Sequence, residues 1–418
     1  MLLGRNRIFF LYAFLALVWV SLFQLCRLFT YYDPSSFFYD PRKAYETRYT
    51  DLREKQAEQL IDDINHASPD ELSRLTYTHK DVDTRGQNKK LCVGIPSIKR
   101  EKQYFLPRAL ASLVEGLDVG ERSALHIIVL LADDDPTSHP AFSETWLQHI
   151  SDEVLLYGNI SSSTETDKYR NVEPTASNPD QTLLRNDRVH RDYATLMSTC
   201  RETGAEYFIL VEDDVIASRD WLGRLLDALD HLARADHSEN WLYLRLFYSE
   251  TYMGWNSEEW PIYLVRSLCF YTMVLTVYFV IIAVDLRRRS HLFHFKSQSY
   301  NLLHLTFWTA SFIILYFLAG RLTVDPYKEG VRTMPNYGCC AQGLVIPHQH
   351  LPALEETLHT ASSDIAGDSV IEKFADDHAL KKYAIVPSVL QHIGIKGSSD
   401  EKGTKKATWN FSFERTGT

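Results

Sequence analysis

Basic charge, internal repetition and polar breaks in its apolar runs are what this 418-residue chain has little of. Lys and Arg number 44 against 54 Asp and Glu, for a net charge of -10. That balance argues against nucleic acid as a partner. No segment repeats, so the length reads as one large domain or two smaller ones. Three runs are almost free of charge: Ile8 to Cys26, Ser267 to Val284 and Leu302 to Gly320. Each is long enough to cross a bilayer. A transporter would carry charges or broken helices inside such spans. Charges such as Arg27 and Arg266 lie only at their ends. No small-x-small cleavage site follows the first run, so it reads as a signal anchor rather than a cleaved signal peptide. Cysteine is scarce too. Of six, Cys26 and Cys269 lie in the spans, which leaves Cys92, Cys200, Cys339 and Cys340. In an oxidising compartment these four allow three pairings.

The charge that is present orients the spans. Arg5 and Arg7 precede the first, and Arg287, Arg288, Arg289 and Lys296 lie between the second and third. Both basic stretches are therefore expected on the cytoplasmic side. Residues 30–260 and 321–418 then share the lumenal side, where the sequons Asn159-Ile160-Ser161 and Asn410-Phe411-Ser412 also fall. The expected organisation is a cytoplasmic tail and anchor over 1–29, a lumenal stem over 30–88 and a first part of the folded domain over 89–260. A membrane hairpin over 261–320 and a second part of the domain over 321–418 complete it.

In the stem, "SPDEL" predicts a helix start, with Ser68 as N-cap, Pro69 in the first turn and Glu71 closing a capping box. From Leu91 onward short apolar strands alternate with helical patterns. "LCVGIP", "ALHIIVLLA", "EVLLYG", "EYFILV", "WLYLRLFYS", "GCCAQGLVIP" and "KYAIVP" read as strands. Such alternation predicts an α/β fold with a mostly parallel sheet flanked by helices. The polar stretch Ser161 to Asp187 reads as a loop over the site.

Ligands of open parallel sheets bind beyond the carboxyl ends of the strands. Three charged clusters fall there: "IPSIKR", "ADDDP" and "VEDDV". Glu212, Asp213 and Asp214 follow a fully apolar strand. Three adjacent acids repel one another unless a positive charge sits among them. A hard divalent cation, Mn²⁺ or Mg²⁺, suits them, with water and phosphate oxygens filling its remaining positions. The competing reading is a solvated turn. Lys99 and Arg100 follow the first strand, where they could neutralise a diphosphate. Asp133, Asp135 and Thr137 fit the D-x-D-x-T pattern of aspartyl-phosphate phosphohydrolases, whose first Asp is a nucleophile. The Ser/Thr strand end and Lys that such an enzyme also needs have no convincing counterpart. His392, beyond the last strand, is a candidate metal or phosphate contact.

"CVGIPSIKREKQYFLPRALASLVEGL", "HRDYATLMSTCRETGAEYFILVEDDVIAS" and "VPSVLQHIG" resemble the GT-A-fold glycosyltransferases related to N-acetylglucosaminyltransferase IV. With a hairpin inserted in the domain, the chain is similar to the post-GPI-attachment-to-proteins factor four family within that group. The resemblance covers about residues 90–395. It implies a GT-A fold and an inverting transfer of a sugar, N-acetylgalactosamine, from a UDP-sugar to the glycan of a GPI-anchored protein or glycolipid. It implies a multi-pass Golgi membrane protein with the catalytic domain in the lumen. Donor binding falls to Ile95, Pro96, Lys99, Arg100, Asp192, Tyr193, Glu212 and Asp213. A metal, Mn²⁺ or Mg²⁺, falls to Asp214 and His392. Asp368 opens a helix where inverting relatives place a catalytic carboxylate. An N-glycan transferase, a hydrolase and a transporter or receptor are the alternatives. "ADDDP" departs from the family pattern.

Overall fold

The computed structural model describes residues 2–75, 90–101, 103–158, 168–173, 185–234, 240–287, 298–334, 340–394 and 408–415. These fall into two compact units. One comprises Met1–Glu46 and Glu250–Tyr327, the other Thr47–Ser249 and Lys328–Thr418.

The first unit is built on helices Leu2–Phe29, Trp260–Arg287 and Gln298–Ala319. Stretches of all three, Phe10–Phe29, Ser257–Val284 and Tyr300–Ala319, are long and apolar enough to cross a membrane. Apolar residues such as Phe14, Val277 and Phe307 lie exposed along them, as a lipid-facing helix requires. Asp33 organises one end. It accepts from Thr323 N at 2.8 Å and Ser35 N at 2.9 Å. A Cβ on Gly320 would stand 2.3 Å from its Oδ2, and that glycine has φ +95°. Glycine is required there on both counts.

The second unit holds a nine-stranded sheet. Its strands are β1 (Leu91–Ser97), β2 (Leu125–Leu131), β3 (Glu153–Tyr157), β4 (Tyr169–Val172), β5 (Tyr207–Val211), β7 (Trp241–Arg245), β8 (Gly330–Thr333), β9 (Gly343–Pro347) and β10 (Lys381–Val386). They lie in the order β4-β3-β2-β1-β5-β9-β7-β10-β8. Strands β4 through β5 in that order run parallel, as do β7 and β10. β9 is antiparallel to both neighbours and β8 to β10. A separate two-stranded antiparallel sheet pairs β6 (Val215–Ala217) with β11 (Leu390–His392).

The strands are apolar on both faces because helices cover both. Leu91, Val93, Ile95, Ile209 and Val211 belong to one core cluster; Cys92, Phe208 and Leu210 belong to the other. This is the period-2 alternation of a strand. Helix Arg185–Glu202 packs on the second face, and the Cys92–Cys200 disulfide ties it to β1. Cys340 is also disulfide-bonded, while Cys26 and Cys269 are free. Cys339 lies outside the described residues.

Several expectations meet the structure here. Ser68 and Glu71 make the predicted capping contact, with Glu71 Oε2 accepting from Ser68 N at 3.0 Å and Oγ at 2.7 Å. Helix Arg48–His66, inside the stretch read as a stem, buries Ala57 and Ile64 in the core of the second unit. Its Arg53 is 1 % exposed and donates to the Ala217 carbonyl at 2.9 Å. The presumed loop Ser161–Asp187 includes β4, and helix Arg185–Glu202 begins within it. Asn410 is fully buried. Its Nδ2 donates to the Tyr248 carbonyl at 3.1 Å and its Oδ1 accepts from Phe413 N at 3.2 Å. That amide is committed to the fold, so this sequon gives no support to a lumenal assignment. Asn159 lies outside the described residues.

Candidate active site

The parallel strands β1, β2 and β5 all end on one edge of the sheet, at Ser97, Leu131 and Val211. The chain leaves β5 into Glu212, Asp213 and Asp214, then enters β6 at Val215. β11 pairs His392 opposite Val215, and Ile393 N donates to the Asp214 carbonyl at 2.8 Å. His392 therefore reaches the acids through a second sheet. Glycine is needed just beyond it. A Cβ on Gly394 would stand 2.6 Å from Asp214 Oδ2 and 3.0 Å from His392 Nε2.

Arg100, from the loop after β1, supplies the positive charge among the acids. Its guanidinium donates to Asp214 Oδ2 at 3.0 Å and to Asp213 Oδ1. Ser97 Oγ donates to Asp213 Oδ2 at 2.6 Å. Both oxygens of Asp213 are thus occupied. Asp214 differs. Its Oδ2 faces Arg100 and lies 3.4 Å from His392 Nε2, but its Oδ1 is buried without a hydrogen-bond partner among the described residues. An unpaired buried carboxylate oxygen is costly.

Burial decides most of the protonation balance. It pushes Glu212 up, with the charge of Asp214 adding to it. It pushes Asp213 up against the pull of Arg100. For Asp214 burial is outweighed by the bond and charge of His392 and by Arg100, so its carboxyl stays below the usual range. His392 is raised, because its bond to Asp214 and that charge overcome burial. Thr408 Oγ1 meets its Nδ1 at 3.1 Å.

The donor set suits a divalent cation in one way. Asp214 Oδ1 and the His392 imidazole give at most two protein ligands, and no group of three metal-ligating side chains exists among the described residues. Two protein ligands with phosphate and water completing the shell are normal for Mg²⁺ or Mn²⁺, and an imidazole favours the latter.

The remaining candidates fall around this edge. Tyr193 Oη donates to Glu212 Oε1 at 3.4 Å. Asp368 opens helix Gly367–Asp377, which comes so close to helix Arg185–Glu202 that a Cβ on Gly367 would stand 3.1 Å from Tyr193. The charge of Asp368 is felt by both Tyr193 and Glu212. Asp192 is buried and accepts from Tyr157 Oη at 2.8 Å, and Arg191 stacks over the Tyr157 ring at 4.1 Å. Burial pushes the Asp192 carboxyl up to about 6. Lys99 is exposed, and its backbone N–H donates to both oxygens of Asp133. Pro96 lies in β1 beside it. The Ile95 side chain is wholly within the core, so only its backbone could meet a nucleotide. Sequence reasoning assigned no role to Ser97, His139, Tyr157, Gly394 or Thr408. Ser97 carried a usable signal in its place at the end of β1. Tyr157 ends β3 and Gly394 follows His392 by two residues, whereas His139 and Thr408 are brought in by packing.

Residues 91–391 match the family described as GPI-N-acetylgalactosamine transferase PGAP4. The chain is also 26% identical over 155 residues to the Mus musculus alpha-1,3-mannosyl-glycoprotein 4-beta-N-acetylglucosaminyltransferase B, covering 36% of this chain and 27% of that protein. The Gallus gallus alpha-1,6-mannosyl-glycoprotein 4-beta-N-acetylglucosaminyltransferase is 25% identical over 154 residues, 36% and 32% of the two chains. This chain therefore spans about a third of the length of these curated relatives, or less. The family match covers well over half of this chain and contains every candidate residue except His392, one position beyond it. The chain belongs to the GPI-N-acetylgalactosamine transferase PGAP4 family.

Proposed function

We propose that the protein is an inverting, UDP-sugar-dependent glycosyltransferase that adds N-acetylgalactosamine to the glycan of a GPI anchor in the Golgi lumen. The observation that carries the reading is the buried Oδ1 of Asp214, without a partner among the described residues, beside Arg100 and His392 at the carboxyl edge of the sheet. A diphosphate needs positive charge at such a place, and Arg100 is already aimed there. Asp214 and His392 would hold Mn²⁺ or Mg²⁺, which when bound supplies further positive charge to the leaving phosphate oxygens. Tyr193, Glu212 and the Asp192 region would position the sugar nucleotide. Asp368 would accept the proton of the acceptor hydroxyl as its oxygen attacks the anomeric carbon. The bond from that carbon to the β-phosphate oxygen breaks, UDP leaves, and the configuration inverts.

A membrane-borne acceptor is supported by the course of the chain. It passes between the span-containing unit and the sheet-containing unit three times, after residues 46, 249 and 327. An enzyme of soluble glycans needs only one such link. The test compares UDP-N-acetylgalactosamine with UDP-N-acetylglucosamine, and an intact GPI with the same glycan freed of lipid. Turnover is expected with the first of each pair. Equal rates on lipid-linked and free glycan would favour a transferase of soluble glycans instead.

A further inference from the structure

The turn after β2 returns a buried histidine to the end of β1. His139 is 3 % exposed. Its Nδ1 accepts from Ala141 N at 3.1 Å, and its Nε2 lies 3.2 Å from Ser97 Oγ. A ring nitrogen that accepts from a backbone N–H carries no proton, so in the neutral ring the proton sits on Nε2. The Ser97 hydroxyl has one proton, and it is directed at Asp213 Oδ2 at 2.6 Å. Its lone pair is then the acceptor for His139 Nε2–H. The three bonds run in one direction: Ala141 N–H to His139, His139 Nε2–H to Ser97, and Ser97 O–H to Asp213.

We infer that His139 is a positioning residue for the donor site, acting through Ser97 to fix the carboxylate of Asp213 against Arg100. The inference rests on the reading of this edge as the UDP-sugar site. Without His139 the Ser97 oxygen loses the donor that fixes its lone pair, and no hydrogen bond other than that of Ser97 reaches Asp213 Oδ2 among the described residues. Arg100 bridges Asp213 and Asp214, so a loosened Asp213 also misplaces the guanidinium that faces Asp214. The neutral ring suits the role: burial and the nearby charge of Lys99 hold its pKa down at about 4. A directional chain of buried hydrogen bonds polarises along its length and holds its last member more tightly than isolated pairs would. This also gives "ADDDPTSHP" a purpose. Asp135 caps the short helix Pro136–Ser138, accepting from Thr137 N at 3.1 Å, and that helix delivers His139.

The experiment uses the full-length protein and follows the KM for UDP-sugar separately from kcat, with UDP binding measured by calorimetry. Ser97→Ala is expected to raise the donor KM and the UDP dissociation constant by about tenfold, the loss of one bond to a charged group, and His139→Leu by about three- to tenfold, the loss of the neutral bond behind it. The double variant is expected to be no worse than Ser97→Ala alone, because both remove the same bond chain. His139→Gln puts an amide near the Nε2 position and is expected to recover most of the loss. If His139→Leu fails to fold, Ser97→Ala alone and with His139→Gln makes the same comparison. Additive effects, a normal KM in His139→Leu, or no recovery by His139→Gln would overturn the inference. Imidazole ¹⁵N spectra at pH 7 give a second check: the Nε2–H tautomer is expected, and Nδ1–H would also overturn it. Absence of UDP binding by the wild type would sink the donor-site reading, while the tautomer would still decide the relay.

Discussion

Two clusters of acids stand at the ends of adjacent regions of the sheet, and they are organised in opposite ways. Asp133, Asp134 and Asp135 follow β2, and each has a partner. Asp133 holds the Lys99 N–H, Asp134 pairs with Arg188 at 3.2 Å, and Asp135 caps Thr137. Asp134 and Asp135 are exposed. Asp213 and Asp214 are each 5 % exposed, are bridged by one arginine, and leave one oxygen unpaired among the described residues. Both clusters look alike as strings. The difference is that one is half-exposed to exposed and ties neighbouring segments together, while the other is buried and leaves a carboxylate oxygen without a hydrogen bond among the described residues. The proposed donor site rests on that second arrangement.

The largest effect that tests this contrast should come from Asp214→Asn. The substitution keeps the shape and removes the charge that faces the unpaired side. Turnover is expected to fall by roughly a hundred- to a thousandfold. The melting temperature should fall as well, because Arg100 and His392 hold this carboxylate ionised in the folded protein and lose its charge. Asp213→Asn should behave differently. Burial works against its ionised form, so the amide should cost less stability, while activity falls with the weakened Arg100 contact. Matching losses of stability in the two variants would mean that the fold holds the two carboxylates alike.

Much of this was legible beforehand. The apolar runs before Gly94, Asp133 and Glu212 gave the central strands, because a strand buried on both faces must be apolar throughout. "VEDDV" and "IPSIKR" were legible as a site because charge directly after such a run has few structural uses. The short strands β4, β6, β8 and β11 were not legible: with three or four residues, or with polar faces, they carry no period. β6 and β11 matter most, since they bring His392 to Asp214 across 178 residues. The buried Asn410 and the His139 relay depend on tertiary packing that no local pattern records.

A smaller effect should appear in stability against pH. The buried Asp192 has its pKa raised from 3.8 to about 6. Between those values the folded state binds more protons than the unfolded one, so stability falls as pH rises through that window. Asp192 contributes a penalty of about 3 kcal/mol above pH 6, by the size of the shift. Asp213 is shifted in the same direction, so Asp192→Asn should reduce the slope without abolishing it. The low pKa of Asp214 acts the other way, below pH 4. Unfolding free energies from denaturant titrations at pH 4.5, 5.5 and 6.5 measure the slope. An unchanged slope in Asp192→Asn would mean that the carboxyl is ionised throughout.

The smallest effect is expected at Asp133, and a small effect is what separates the two clusters. A phosphohydrolase reading makes Asp133 the nucleophile, and its loss would then be total. The structure gives it another task. Both oxygens lie within 3.2 Å of the Lys99 N–H, so the carboxylate pins the loop that carries Arg100. Burial raises its pKa, with that backbone bond opposing, which makes it a poorer anion than a free aspartate. Asparagine retains a carbonyl oxygen for the same N–H. Asp133→Asn should therefore lower sugar transfer by less than about threefold, the loss of a fraction of one hydrogen bond. Any loss should appear in the donor KM, because the loop it steadies leads to Arg100. The assay runs sugar transfer and phosphate-ester hydrolysis side by side on the same preparation. Hydrolysis by the wild type that disappears in Asp133→Asn would move the chemistry from β5 to β2 and reverse the contrast between the two clusters.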